Sequence, residues 1–417
     1  MIFVCMDPLI SMNNKMITVQ EADHLLRETI PSQIIDTVPL TDSLNCIIAE
    51  DIYSDREMPP FNRVAMDGIS ISYEQYENGL RTFPIEGIQK AGDPIKRLSN
   101  NSNCIEVMTG AVLPDQTDTV IRIEDLHLDK NQAIIQNEVI IKKNQNVHKK
   151  GSDIDINAKL IKKGTNINPT HIGILASVGK ENIKISQFPK IAIISTGNEL
   201  VEISDTPLPH QIRRSNVYVI EAGLKNIGPV KINIFHLKDD RPTIEKNLEK
   251  LLLEYDTIIL SGGVSMGKFD FIPDSLIANG VQEVFHKIQQ KPGKPLWYGM
   301  KGDKKRVYAL PGNPVSALIC LYRYVIPHIL SSLHISEITK YSSINQQEIK
   351  FNKPLELFQP VKVTSSTEGI LKADIIKGNG SGDYSSLTQT TGFIQVSQNN
   401  SDKAIGSSLP YYPWTIW

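Results

Sequence analysis

Cysteine is scarce and net charge is nearly absent. The 417 residues hold four cysteines, Cys5, Cys46, Cys104 and Cys320, and no C-x-x-C pair. That spacing argues against a structural zinc or a disulfide framework and fits a reducing compartment, expected to be the cytoplasm. Lys plus Arg number 44 against 46 Asp plus Glu, a net charge of -2. Such a balance gives no electrostatic reason to expect nucleic acid or an anionic membrane as partner. No apolar run approaches the length of a transmembrane helix. "MIFVCMDPLISM" begins apolar but lacks a basic leader, and Asp7 and Pro8 interrupt it, so it does not read as a signal peptide. Structure is expected to begin at "ITVQEADHLL", which makes Met12 or Met16 the candidate start. The nine histidines show no metal-ligand spacing, and no Ser-His-Asp motif is present.

What is there is an ordinary globular composition, 40% hydrophobic and 22% charged, over a length that predicts two to four domains. Thr18 and Glu21 have capping-box spacing and predict a helix from there. After "MPPFNRVAMDGISIS" short apolar runs alternate with turn residues to about residue 150, a β-like pattern. Asn168 then offers an N-cap and Pro169 a first helical position. This segment resembles the opening one more than its neighbour. The expectation is therefore a linking α/β domain of residues 17–56 with 154–186, interrupted by a β-rich inserted domain, 57–153. From about residue 187 strands alternate with helices, which predicts a central, mainly parallel α/β sheet domain over 187–334. "KIAIIS" and "DTIILSGG" are continuous apolar runs, as strands buried on both faces require. In "PTIEKNLEKLLLEY", Ile244, Leu248, Leu251, Leu252 and Tyr255 fall on one helical face. Asn313 and Pro314 predict another helix start. Residues 335–417 turn β-like again and are expected to form a small C-terminal β domain.

The glycine-rich stretches of the third domain fall at predicted strand ends, where open α/β sheets bind ligands. They are "STGNE", "SGGVSMGKFD", "KPGKP" and "LPGNP". One such loop is a routine turn. Several on one rim suggest a site, because glycine lets backbone N–H groups approach an anion. "SGGVSMGKFD" reads G-x-x-x-x-G-K from Gly262, but Phe269 stands where a P-loop needs Ser or Thr. It can cradle an anion without being a Walker A loop. Taken singly the acidic residues say little: Asp67-Gly68 is a hairpin dipeptide, and Asp239, Asp240, Asp270 and Asp274 stand where helix caps stand.

The order of motifs is more specific. "AMDG", "MTGAVLPDQTDTVI", "GSDI", "STGNEL", "SGGVSMGKFD", "KPGKP" and "LPGNPVSA" follow one another in register. Together they resemble the molybdopterin molybdenumtransferase family, to which the C-terminal part of gephyrin is related. The resemblance runs from about residue 17 to the C-terminus. It implies transfer of molybdenum from molybdate to adenylylated molybdopterin, hydrolytic release of AMP, and Mg²⁺. It implies catalytic roles for Asp67, Thr109, Asp153, Glu199, Asp270, Lys291 and Lys294. It places substrate binding at Ser195, Thr196, Gly197, Asn216, Gly262, Gly263, Ser265 and Gly267. It places it also at Pro292, Gly293, Pro295, Pro311, Gly312 and Asn313. Molybdate is a dianion and suits Lys291, Lys294 and the Ser265 loop. Mg²⁺ takes oxygen ligands, for which Asp270, Asp240 and Glu199 are the candidates, with Asp239 an open alternative to Asp240. The resemblance also implies a homodimer in which Asp67, Thr109 and Asp153 reach the partner's cleft. A molybdopterin adenylyltransferase is an implied further partner. Departures from the family pattern are Asn198 for a frequent Asp, basic Lys268 and Arg214 for acidic residues, and Lys362 where a C-terminal Arg is expected. Ser385 and Ser386 complete the C-terminal candidates. Two alternatives stand beside this reading: an ATP-using molybdopterin adenylyltransferase, and a catalytically weak dimeric scaffold of the same fold.

Overall fold

A computed structural model of the chain describes residues 16–264, 270–335, 339–398 and 403–415. It divides into two compact units, one of Met1–Glu50, Lys163–Ile172 and Glu181–Trp417, the other of Asp51–Lys162 and Gly173–Lys180. Three of the four expected segments thus share one unit. The β-rich unit is wider than 57–153, because Ile52–Tyr53 pairs antiparallel with Lys159–Ile161 and so carries both flanks with it.

The first unit is built on a six-stranded sheet. Its order is Ile232–Leu237, Ile191–Thr196, Thr257–Ser261, Lys305–Leu310, Trp297–Lys301, Gln282–His286. The first four strands run parallel; Trp297–Lys301 is antiparallel to both its neighbours. All six residues of Ile191–Thr196 are buried, as the unbroken apolar run predicted. Alternate residues serve opposite faces. Ile191 and Ile193 pack with Val217, Ile220 and Leu224 of the helix Asn216–Lys225. Ala192 and Ile194 pack with Ile244, Leu248, Leu251 and Leu252 of the helix Arg241–Glu254. Each isoleucine, leucine or valine side chain so removed from water contributes about 1.5–3 kcal/mol.

The helix Val19–Glu28 opens with the expected reciprocal capping box between Thr18 and Glu21. Its Val19, Ala22 and Leu26 enter the same core as Ile193, Tyr298 and Phe358, which is why the N-terminal segment is not a separate body. Ile35–Pro39 pairs antiparallel with Asn182–Ser186, so the sequence on either side of the insertion meets in one sheet. Asn168 Oδ1 accepts from His171 N at 3.0 Å, the predicted cap of the helix Pro169–Ser177. A second six-stranded sheet uses the C-terminal strands and borrows Gln290–Lys291, which pairs in parallel with Glu356 and Leu357.

One helix among the described residues, Pro314–Ser332, is long and apolar enough to cross a membrane, but 83% of its apolar window is buried inside the fold. It widens into a π turn at Leu321–Val325. Pro327 has no N–H to return to Arg323, and a π turn is a common response to such an interruption. Arg323 grips Asp23 of the first helix through two bonds of 2.8 and 2.7 Å.

The second unit carries a six-stranded sheet in the order Thr119–Arg122, Gly68–Ile71, Cys104–Val107, Thr82–Gln89, Gln132–Ile135, Leu126–Asp129. Ile69, Ile71, Phe83, Ile121 and Ile135 fill one core; Val64, Ile105, Val107 and Val120 fill another. Gly68 has to be glycine here: a Cβ would lie 1.8 Å from the Ile121 carbonyl oxygen.

Candidate active site

The carboxyl ends of the parallel strands surround a cleft of about 300 Å³. Each strand contributes its own turn. Ile191–Thr196 leads into Thr196, Gly197 and Glu199; Ile232–Leu237 into Asp239; Thr257–Ser261 into Gly262, Gly263 and Val264. Lys305–Leu310 leads into Pro311, Gly312 and Asn313, and Asp270 and Pro295 close the lining. Three glycines set the close approach. Gly197 has φ 139°, and a Cβ on it would meet Glu199 Oε2 at 2.6 Å. Gly263 has φ 70° and would meet Ile272 at 2.6 Å. Gly312 packs against Gly262, with its ideal Cβ 3.7 Å from that Cα. At Gly197 and Gly263 a side chain would collide with Glu199 and Ile272, so the turns could not keep this course.

Three carboxylates, Glu199, Asp239 and Asp270, line this one hollow. Asp239 shows the effect. Burial raises its pKa first, and the charges of Glu199 and Asp270 raise it further against the Asn198 N–H bond. Asn198 and Asp239 hold each other: Asn198 N donates to Asp239 Oδ2 and Asp239 N to Asn198 Oδ1, both at 3.3 Å. The amide therefore aligns the second strand-end turn without adding a fourth negative charge. Among the described residues no group of three or more His, Cys, Asp or Glu side chains is arranged to hold a metal ion. A cage made wholly of protein ligands is absent there. Mg²⁺ takes one or two carboxylates plus phosphate oxygens and water, and Glu199, Asp239 and Asp270 are the cleft residues that could supply the carboxylates. Like charges at close quarters disfavour the ionised form of Asp239.

Residues 17–179 match the family described as the MoeA N-terminal region (domain I and II), and residues 192–331 match a probable molybdopterin binding domain. The molybdopterin molybdenumtransferase of Synechocystis sp. is 36% identical over 400 residues, which cover 96% of this chain and 100% of that one. The chain belongs to the molybdopterin molybdenumtransferase family. The Haemophilus influenzae molybdopterin molybdenumtransferase is 30% identical over 96% of this chain and 99% of its own length. The molybdopterin biosynthesis protein MoeA of Pyrococcus horikoshii has the same fold, with a TM-score of 0.81 at 27% identity over 97% of this chain and 100% of that one.

As a molybdopterin molybdenumtransferase, the chain is a transferase of molybdenum cofactor biosynthesis. The cleft unites Thr196, Gly197, Glu199, Gly262, Gly263, Asp270, Pro295, Pro311, Gly312 and Asn313 of the sequence-predicted set. Ser265 and Gly267 lie outside the described residues, as do Lys268 and Phe269. Asp240 is a correction. Its carboxylate caps the helix Arg241–Glu254 by accepting from Thr243 N at 3.1 Å, and Asp239 lines the cleft in its place. Ser195 is another: it is buried, and its Oγ lies 3.3 Å from Phe235 O and 3.0 Å from His236 Nδ1, behind the lining. Asn216 also stays behind the wall, where Nδ2 donates to Ser261 Oγ and to Gly312 O and so ties two turns together. Asn313 holds the N-cap position without capping; its Nδ2 donates to Ser381 Oγ at 2.8 Å.

Lys291 and Lys294 are exposed and are not among the cleft lining, where Pro295 alone represents "KPGKP". The pairing of Gln290–Lys291 with the C-terminal sheet explains this. It carries the lysine to a position 6.0 Å from the centroid of the Phe351 ring. Gly293 is buried, with an ideal Cβ 2.6 Å from Gln290 Nε2 and 2.7 Å from Cys320 Sγ, so its role there is close packing; Pro292 adjoins it outside the lining.

In the second unit Asp67 and Thr109 come together although 42 residues separate them. Asp67 Oδ1 accepts from Thr109 N at 2.6 Å and from Thr109 Oγ1 at 2.8 Å, and these bonds lower its pKa. Asp153 Oδ1 is 2.7 Å from His148 Nε2, and His148 Nδ1 is 2.9 Å from an Arg63 guanidinium nitrogen. Arg63 can only donate, so Nδ1 accepts, and the ring proton of neutral His148 sits on Nε2, facing Asp153. Sequence reasoning missed both His148 and Arg63. Their meeting depends on the register of Arg63–Val64 with Val147–His148, which no local spacing reveals.

Proposed function

We propose that the strand-end cleft binds adenylylated molybdopterin and releases AMP while molybdenum is transferred from molybdate. One observation carries this reading: glycine turns from separate strands and the carboxylates of Glu199, Asp239 and Asp270 meet in a single hollow. The glycine turns favour an anion, and the carboxylates favour a cation. A phosphoanhydride accompanied by a divalent metal supplies both charges. Glu199, Asp239 and Asp270 are the groups that would hold Mg²⁺. When bound, the metal neutralises the charge that develops as the phosphoanhydride breaks.

The chain's own residues do the positioning. Backbone at Gly262, Gly263 and Gly312 orients the phosphoryl oxygens, and Asn198 fixes Asp239 against the neighbouring turn. Hydrolysis adds water across the P–O bond: hydroxide joins the adenylate phosphorus and a proton goes to the departing molybdopterin phosphate. Lys291 and Lys294 are our candidates for the molybdate dianion, on the segment that Pro295 joins to the cleft. We assign Asp67, Thr109 and Asp153 to the cleft of a second copy, in a cytoplasmic homodimer supplied by a molybdopterin adenylyltransferase.

The test is direct. Purified protein given adenylylated molybdopterin, molybdate and Mg²⁺ should release AMP and yield metal-loaded cofactor. No AMP under those conditions would end the proposal. The dimer assignment has its own check: mixing inactive Asp67→Ala and Asp239→Ala variants should restore part of the activity, because one hybrid cleft then has a full set of groups.

A further inference from the structure

The Gly262–Gly263 turn carries no side-chain hydroxyl of its own, since both residues are glycine. The fold brings a hydroxyl from another strand. Ile191–Thr196 and Thr257–Ser261 are parallel neighbours with Ser195 opposite Ser261, so Thr196 lies beside Gly262. Its hydroxyl faces both glycines: an ideal Cβ on either Gly262 or Gly263 sits 3.1 Å from Thr196 Oγ1. Thr196 is 4% exposed and lines the cleft. Among the described residues, this buried oxygen has no hydrogen-bond partner. An unpaired buried hydroxyl costs stability, and native folds rarely keep one without a use. The adjacent Ser195 shows the usual arrangement, with its hydroxyl beside Phe235 O and His236 Nδ1.

We propose that Thr196 Oγ1 donates a hydrogen bond to a phosphoryl oxygen of the adenylate at the Gly262–Gly263 turn. The assignment rests on the reading that the cleft holds a nucleotide ester. Glycine turns present N–H donors to an anion, and a hydroxyl among them completes the donor set. Rotation about a single bond is enough to aim it, so the backbone need not move.

The probe is AMP, measured by calorimetry on the full chain with EDTA and again with Mg²⁺. Thr196→Val removes the hydroxyl and keeps the shape. We expect its ligand-free melting temperature to rise by about 2 °C, because the unpaired group is gone. We expect AMP affinity to fall about 10- to 100-fold in both conditions, as for a lost bond to a charged group. Thr196→Ser should bind within about threefold of the wild type, and Thr196→Ala serves if the valine variant does not fold. Wild-type affinity in the valine or alanine variant overturns the assignment. A loss seen only with Mg²⁺ also overturns it, by making the hydroxyl a cation ligand. A wild type that binds no AMP in either condition overturns the nucleotide reading and this assignment with it.

Discussion

Carboxylates in two parts of this molecule are treated in opposite ways. Asp239 shares its hollow with Glu199 and Asp270, and burial and like charge raise its pKa. Asp383, in the loop that reaches Asn313, accepts from Asn379 N, Ser385 Oγ and Ser386 N, and these donors lower its pKa to about 2. Asp67, clasped by Thr109, is lowered likewise. The clasped carboxylates have found their partners in the fold. The cleft group is held against burial and like charge. The direction of the shift thus separates a carboxylate held against burial and like charge, Asp239, from one clasped by donors, Asp383.

Charge removal should separate the two classes most sharply. Asp239→Asn should lower AMP release by about 100-fold or more, with the melting temperature unchanged or raised, since one of three like charges is gone. An activity loss accompanied by a lower melting temperature would erase the distinction. Asp383→Ala should do the reverse, lowering the melting temperature by about 2–4 °C with a smaller effect on turnover.

Acid should distinguish them next. Asp383, with a lowered folded pKa, gives stability that is full above its unfolded value and is lost as pH falls through about 2. Asp239 has a raised folded pKa, so its contribution opposes folding when ionised and is relieved as pH falls through that raised value. On our proposal protons and Mg²⁺ compete for the cleft. The rise in melting temperature on adding Mg²⁺ should vanish at a higher pH than an ordinary carboxylate would require, and should be missing in Asp239→Asn. The smallest effect is expected at Asp153. Arg63→Gln should change the ring carbon and nitrogen NMR signals of His148 by loosening its tautomer, while activity falls only about two- to fivefold, and Arg63→Lys should restore both.

Much of this was legible in the residues. The unbroken apolar runs located the buried parallel strands, and the Thr18 and Asn168 caps located two helices, because those signals are local. The glycine turns located the rim. What could not be read was which of two adjacent carboxylates faces it. Asp239 and Asp240 differ by one bond of the chain, and only the start of the helix Arg241–Glu254 turns Asp240 into a cap. The place of the lysines was hidden for a similar reason. "KPGKP" follows a strand of the α/β sheet, but pairing with Glu356 and Leu357, more than sixty residues later, decides where Lys291 points. Long-range strand pairing and side-chain register leave no periodic trace in sequence.

That two-residue pairing has a practical result. Cutting the chain near residue 335 would expose a bare edge on the segment that ends in Pro295, at the wall of the cleft. The last eighty residues are thus a buttress rather than an appendage, and a shortened transferase would need that edge mended before its chemistry could be judged.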